Sequence, residues 1–210
     1  MSNISLISDS FNLQKGGALF DPVKAQLSAN SEYIFISLGG MGLATLSRIK
    51  TKIVRECDVP TTTKVTYLAL DTDTDLMNTF KKEHQDFVAL ANNECVLLQE
   101  GVPSNALELN QRGQLSQTIK DWLNPDLNHT IDRHGASGIR QVGRFFLSYN
   151  SNFTTTKAAL QRISPAQGRE VYVYFICGIA GGTGSGGFVD MAYLIRETFK
   201  LHGGDATRHF

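Results

Sequence analysis

Cysteine is scarce in this chain. Cys57, Cys95 and Cys177 are far apart and odd in number, so neither a disulfide framework nor a zinc-ligand spacing is present, and a reducing cytoplasm is the expected compartment. The five histidines are equally scattered, without an HxxxH pair, which argues against a structural transition-metal site. Surplus charge is missing too, because 20 basic residues meet 20 acidic ones. That excludes a broad electrostatic surface for nucleic acid or anionic lipid, while leaving room for a few phosphates held by backbone groups. No apolar run reaches the length of a bilayer span, and the N-terminus has no basic stretch leading into an apolar one. Neither a membrane anchor nor a secretory signal is expected. The sequence GxxxxGK[ST] does not occur, which excludes a Walker-type NTPase.

What is present suits one folded domain. Of 210 residues, 41% are hydrophobic and 19% charged, enough to bury a substantial core. Residues 1–31 are polar and weakly periodic, an expected arm or extension, and 32–210 carry the domain pattern. Residues 33–38 read as a short buried strand that runs into Gly39-Gly40-Met41-Gly42. Leu46, Ile49, Lys50 and Ile53 then keep helical spacing, with the Lys50 stem at the edge of the stripe, until Pro60 ends it. Residues 64–70 form the second predicted strand, ending at Asp71-Thr72-Asp73, with a helix near 74–84 and a third strand near 95–98. Residues 99–134 are a polar insertion in which Leu115, Ile119, Trp122 and Leu123 predict an amphipathic helix. The pattern resumes at Gly135-Ala136-Ser137-Gly138, followed by a helix bearing Val142, Phe145 and Phe146. Residues 171–177 are the strongest strand, and Phe188, Met191, Ala192 and Ile195 mark the helix beyond the next glycines. Strands alternating with helices argue for an α/β fold: a Rossmann-like parallel sheet with helices on both faces.

The chemistry is expected in three glycine-rich loops that precede helices. In a parallel sheet such loops gather at the carboxyl ends of the strands, where ligands bind. Glycine lets a phosphate approach the backbone N–H groups, and a helix N-terminus favours negative charge. Five glycines lie within residues 180–187, with the Thr183 and Ser185 hydroxyls among them, a composition that suits anion binding.

Ala180-Gly181-Gly182-Thr183-Gly184-Ser185-Gly186 resembles the signature loop of the tubulin/FtsZ family, usually GGGTG(T/S)G. Gly39-Gly40-Met41-Gly42 looks like that family's first phosphate loop, and Asp71-Thr72-Asp73 like the Asn-Thr-Asp segment after its second strand. Gly135-Ala136-Ser137-Gly138, with Val142-Gly143-Arg144 behind it, resembles the loop that senses the γ-phosphate. All four occur in the family's order. The chain departs from the pattern at Leu43, where an asparagine is usual, at Asp71 and at Ala180, and in the 99–134 insertion.

The resemblance implies the first half of a divergent, bacterial-type tubulin/FtsZ-like GTPase domain that binds GTP or GDP with Mg²⁺ and self-associates in its full-length form. The amides of 181–186, with Ala180, would hold the α- and β-phosphates. Gly39, Gly40, Met41 and Gly42 would close over them, and Ala136, Ser137 and Gly138 would meet the γ-phosphate. Asp71 and Thr72 would border the nucleotide, with Asp73 near Mg²⁺ or its waters. The activating acid would come from a later loop, so no catalytic residue is expected in this chain, and negligible turnover with it. Helix capping remains open as the role of Asp71, Asp73 and Asp75. Two other functions also stay open. A Rossmann NAD enzyme is suggested by Gly40-Met41-Gly42 and Asp71, although Thr45 stands where a small third residue is wanted. A nucleotide-free interaction scaffold is suggested by Leu43.

Overall fold

The computed structural model describes residues 27–98, 113–124, 135–166 and 168–200. The expected arm up to residue 26, and residues 99–112 and 125–134 of the expected insertion, lie outside them.

Strand β1 (Ser31–Leu38) sets the plan, because its alternating side chains are buried on both faces. Ile34, Ile36 and Leu38 enter one core and Tyr33 and Phe35 the other. That double burial requires a neighbour on each side and a helical layer above and below. Helix α1 (Gly39–Glu56) leads to β2 (Lys64–Asp71), which pairs with β1 in parallel from Glu32↔Lys64 to Leu38↔Leu70. Helix α2 (Thr74–Phe80), a 3₁₀ turn at Asn92–Glu94 and β3 (Cys95–Leu97) follow, with β3 on the outer side of β2. Past the one-turn helix α3 (Gln117–Lys120) come α4 (Arg140–Ser148), α5 (Asn150–Arg162) and β4 (Glu170–Cys177), which returns to the other side of β1. Helix α6 (Thr183–Thr198) ends the described chain. The sheet order is β3-β2-β1-β4, all parallel.

Leu43, Leu46 and Ile53 of α1 and Met77 of α2 cover the Tyr33 face. Phe146 of α4, Leu160 of α5 and Met191 of α6 cover the Ile34 face. The α/β sandwich expected from the sequence is therefore present. Among the described residues no helix is long and apolar enough to cross a membrane.

Several local expectations are corrected. Helix α2 ends at Phe80, not near residue 84. The 115–123 segment makes only one helical turn, capped by the Ser116 side chain, although Leu115 and Leu123 do pack on Phe145. Helix α5 was not anticipated. Phe188 is 41% exposed and lies off the α6 stripe, which Leu194 completes with Met191 and Ile195. Lys50 is buried rather than at an edge: its Nζ donates to Ala89 O at 2.8 Å and pairs with Glu94 at 2.5 Å, tying α1 to the entry of β3.

Candidate functional site

From β1 the chain moves by α1 to β2 on one side, whereas β4 lies on the other side of β1. The loops leaving β1 and β4 therefore part at the carboxyl edge of the sheet, the switch point at which open α/β sheets bind ligands. Both expected phosphate loops stand there.

They touch backbone to backbone. Gly39 has φ +78°, and a Cβ on it would lie 2.7 Å from the Gly184 nitrogen. A Cβ on Gly184 would lie 2.8 Å from the Gly178 carbonyl oxygen and 2.9 Å from that of Leu38. The 135–138 loop joins from a third side, where a Cβ on Gly182 would fall 2.8 Å from the Ala136 methyl carbon. Helix α4 sits equally close, since a Cβ on Gly143 would be 2.2 Å from Gly182 O. The glycines at 182, 184 and 186 thus serve close packing of this protein's own backbone. Gly181 and Gly138 differ, with nothing within 4 Å of an added Cβ, and so border open space.

Three of the helices that begin at this edge flank the glycine loops: α1, α4 and α6. None has a side-chain cap or an acidic residue in its first turn. By contrast α2 and α3 are capped by Asp73 and Ser116, while α5, one residue beyond α4, is uncapped. In α6 the first intrahelical bond is Gly186 N–H to Gly182 O at 2.9 Å, so the N–H groups of Thr183, Gly184 and Ser185 come before the helical ladder. Uncapped donors together with the positive end of the helix make a place for an anion.

On the β2 side, Asp71 is 2% exposed. Its Oδ1 accepts the N–H groups of Thr72 at 2.7 Å and Asp73 at 3.4 Å, while Oδ2 is buried without a hydrogen bond. That bare oxygen lies beside the first loop, 3.7 Å from where a Cβ on Gly40 would stand. Burial pushes the Asp71 carboxyl up to about 6, against the lowering effect of the two N–H donors and the nearby Thr183 hydroxyl. Thr72 is 1% exposed, and its hydroxyl lies 2.6 Å from that of Thr183 and accepts Ala136 N–H at 3.2 Å. The Asp73 carboxylate accepts Leu76 N–H at 2.8 Å as the cap of α2, so capping is one role it does fill. Asp75 is in the first turn of α2 and exposed.

The remaining residues named from sequence divide by exposure. Met41 is 70% exposed beside Gly178, and Ala180 and Ser137 are also exposed, Ser137 with φ +43°. Ala136 is buried, and Ser185 Oγ donates to Gly181 O. Leu43 is fully buried in the core beside Tyr33 and Phe35. Sequence reasoning left out Gly135, Gly143 and Arg140 as site residues. Arg140 Nη2 donates to Ile179 O at 3.2 Å, bridging the head of α4 to the β4 loop. Gly135 and Gly143 stand out only in the fold, where a Cβ on the first would meet Thr72 and on the second Gly182. Among the described residues no group of three or more His, Cys, Asp or Glu is placed to hold a metal ion.

A parallel α/β sheet with uncapped helices and glycine loops gathered at its switch point defines a Rossmann-like protein with an anion-ready edge. A family model described as "tubulin like" matches residues 34–208, and the chain belongs to that tubulin-like family. A comparison with curated proteins returned no match.

Proposed function

We propose that this chain is the nucleotide-binding part of a tubulin-like GTPase that takes GTP and GDP with Mg²⁺ and polymerises in its full-length form. One observation carries the reading. The four segments that resemble the tubulin/FtsZ loops, remote in sequence, are in contact around the uncapped heads of α1, α4 and α6.

The division of labour follows from exposure. The amides at Ala180–Ser185 hold the α- and β-phosphates, with Gly181 as the residue whose missing side chain leaves room for them. Gly40 and Met41 flank them from the first loop. Ser137 and Gly138, exposed in left-handed conformations, face the terminal phosphate. Mg²⁺ is held by one or two carboxylates and keeps phosphate oxygens and waters as its other ligands, which suits a site that offers the Asp71 and Asp73 carboxylates. Asp73 faces the ion through water, and the unpartnered Oδ2 of Asp71 is the buried atom left over for that network. When bound, Mg²⁺ supplies charge neutralisation for the phosphates. Leu43 takes no part in reading the base, because it is inside the core.

The test is direct. Protein purified without added nucleotide is denatured, and the supernatant is resolved by anion exchange, with calorimetry of the refilled protein against GTP, GDP and NAD. Retained guanine nucleotide and binding of both GTP and GDP are expected. No retained nucleotide and no heat with either would sink the reading in favour of a scaffold.

A further inference from the structure

The Thr72 side chain is buried where a residue merely lining a ligand would face outward. Its Oγ1 meets two groups from different parts of the chain: the Ala136 N–H of the 135–138 loop and the hydroxyl of Thr183, the first residue of α6. The backbone is shaped to allow it. Gly135 has φ +72°, and a Cβ there would lie 2.3 Å from Thr72 Oγ1 and 2.9 Å from the Thr72 carbonyl carbon. The Thr72 N–H in turn donates to Asp71 Oδ1. One hydroxyl therefore joins the turn after β2, the loop before α4 and the head of α6.

Proton counting fixes part of the chain. Ala136 N–H can only donate, so Thr72 Oγ1 accepts there, and in its pair with Thr183 either hydroxyl can be the donor. A buried hydroxyl pair with its backbone donor polarises as a unit, and removing the central member takes the Ala136 N–H's acceptor away and leaves the Thr183 hydroxyl with only the Asp71 carboxyl beside it.

We propose that Thr72 is a positioning residue, the latch through which an ordering of the 135–138 loop is passed to the head of α6 and to the 71–73 turn. A ligand that orders Ser137 and Gly138 pulls on Ala136, hence on Thr72, hence on Thr183 and the amides behind it. Discrimination between a tri- and a diphosphate nucleotide thereby reaches both ends of the site without Thr72 touching either. The ligand in this statement rests on the proposed nucleotide reading, but the latch itself does not.

The experiment compares Thr72→Val, which keeps the branched shape and removes the hydroxyl, with Thr72→Ser, which keeps the hydroxyl, both in the full chain. Without ligand, amide exchange by NMR should quicken about tenfold at Ala136 in Thr72→Val while Leu160 in α5 is unchanged, and Thr72→Ser should restore the slow rate. With β,γ-imido-GTP and GDP as probes, the wild type should gain protection at 136–138 and 184–186 together in the triphosphate analogue. Thr72→Val should lose the second part, and its preference for the analogue over GDP should drop at least about fivefold. Unchanged Ala136 exchange in Thr72→Val, or joint protection of both loops as in wild type, overturns the latch. If Thr72→Val does not fold, Thr183→Val decides. It should loosen 184–186 and leave Ala136 protected, whereas equal loss at both overturns the proposal. A wild type that binds no guanine nucleotide defeats the functional reading, and the ligand-free exchange at Ala136 then still tests the latch.

Discussion

The Asp71 carboxyl titrates near 6 in the folded protein because burial disfavours its charge, and near its ordinary 3.8 in an unfolded chain. Between those values the native state keeps a proton that the unfolded state has released, so stability falls as pH rises through the window and stays lower above it. Asp71→Asn, which restores the residue usual in the resembling segment, should flatten that slope. It should raise the stability of the ligand-free protein at pH 7 by on the order of 1–3 kcal/mol. Urea unfolding of both proteins at pH 4 and pH 7 checks it, and parallel pH profiles would dismiss the idea. The glycines give a second residue-level contrast. Gly184→Val must push into two carbonyl oxygens and should cost about 1–3 kcal/mol or more, so its loss of binding would say nothing about phosphate. Gly181→Val, with open space around it, should stay within about 1 kcal/mol of wild-type stability and lose nucleotide affinity. Wild-type affinity in Gly181→Val would remove the phosphate role from that amide stretch. In sequence the two glycines are alike, since what separates them is the backbone each one faces.

Among the elements, the seam between α4 and α6 holds the 135–138 loop against the β4 loop. Arg144 donates to Asp190 from Nε at 2.6 Å and Nη2 at 3.0 Å, and its guanidinium lies 4.5 Å from the centre of the Trp122 ring. Both ion-pair side chains are more than a third exposed or close to it, so solvent screens the pair to about 0.5–1 kcal/mol. Arg144→Gln should therefore destabilise only slightly yet shift the fluorescence of Trp122, the sole tryptophan, because the cation over its ring is gone. An unmoved emission spectrum would mean that the contact is not kept in solution. The strands around this seam were legible because β1, β2 and β4 carry dense runs of apolar and aromatic residues, although β4 is only half-buried. Helix α5 was not legible, because two of its buried positions are polar. Asn152 is 1% exposed and donates to Leu98 O and Phe146 O, and Thr156 is fully buried. A stripe sought in apolar residues starts only at Ala159 and Leu160, too late to show a helix. The four family-like loops could be read in order from the sequence, whereas Arg140 and Gly143 gained meaning only from the carbonyls they approach.

Across the described residues, one sheet carries a core on each face, and a ligand at its carboxyl edge should stabilise both. GTP at about a hundredfold excess over its Kd contributes about 2.7 kcal/mol, or about 5–10 °C in Tm for a chain of this size. Differential scanning fluorimetry with GTP, GDP and NAD reads this, and a shift with NAD alone would reverse the assignment. The strand order also has a consequence in time. Glu32 finds Lys64 after a short excursion through α1, but Ser31 finds Glu170 only after most of the described chain has been placed. Loop-closure entropy grows with that separation, so β1, α1 and β2 are expected to assemble first, with β4 and α6 docking late. The crevice needs both groups. On the proposed reading, a nascent or partly unfolded chain therefore lacks the nucleotide site, and nucleotide captures only molecules in which β4 has docked.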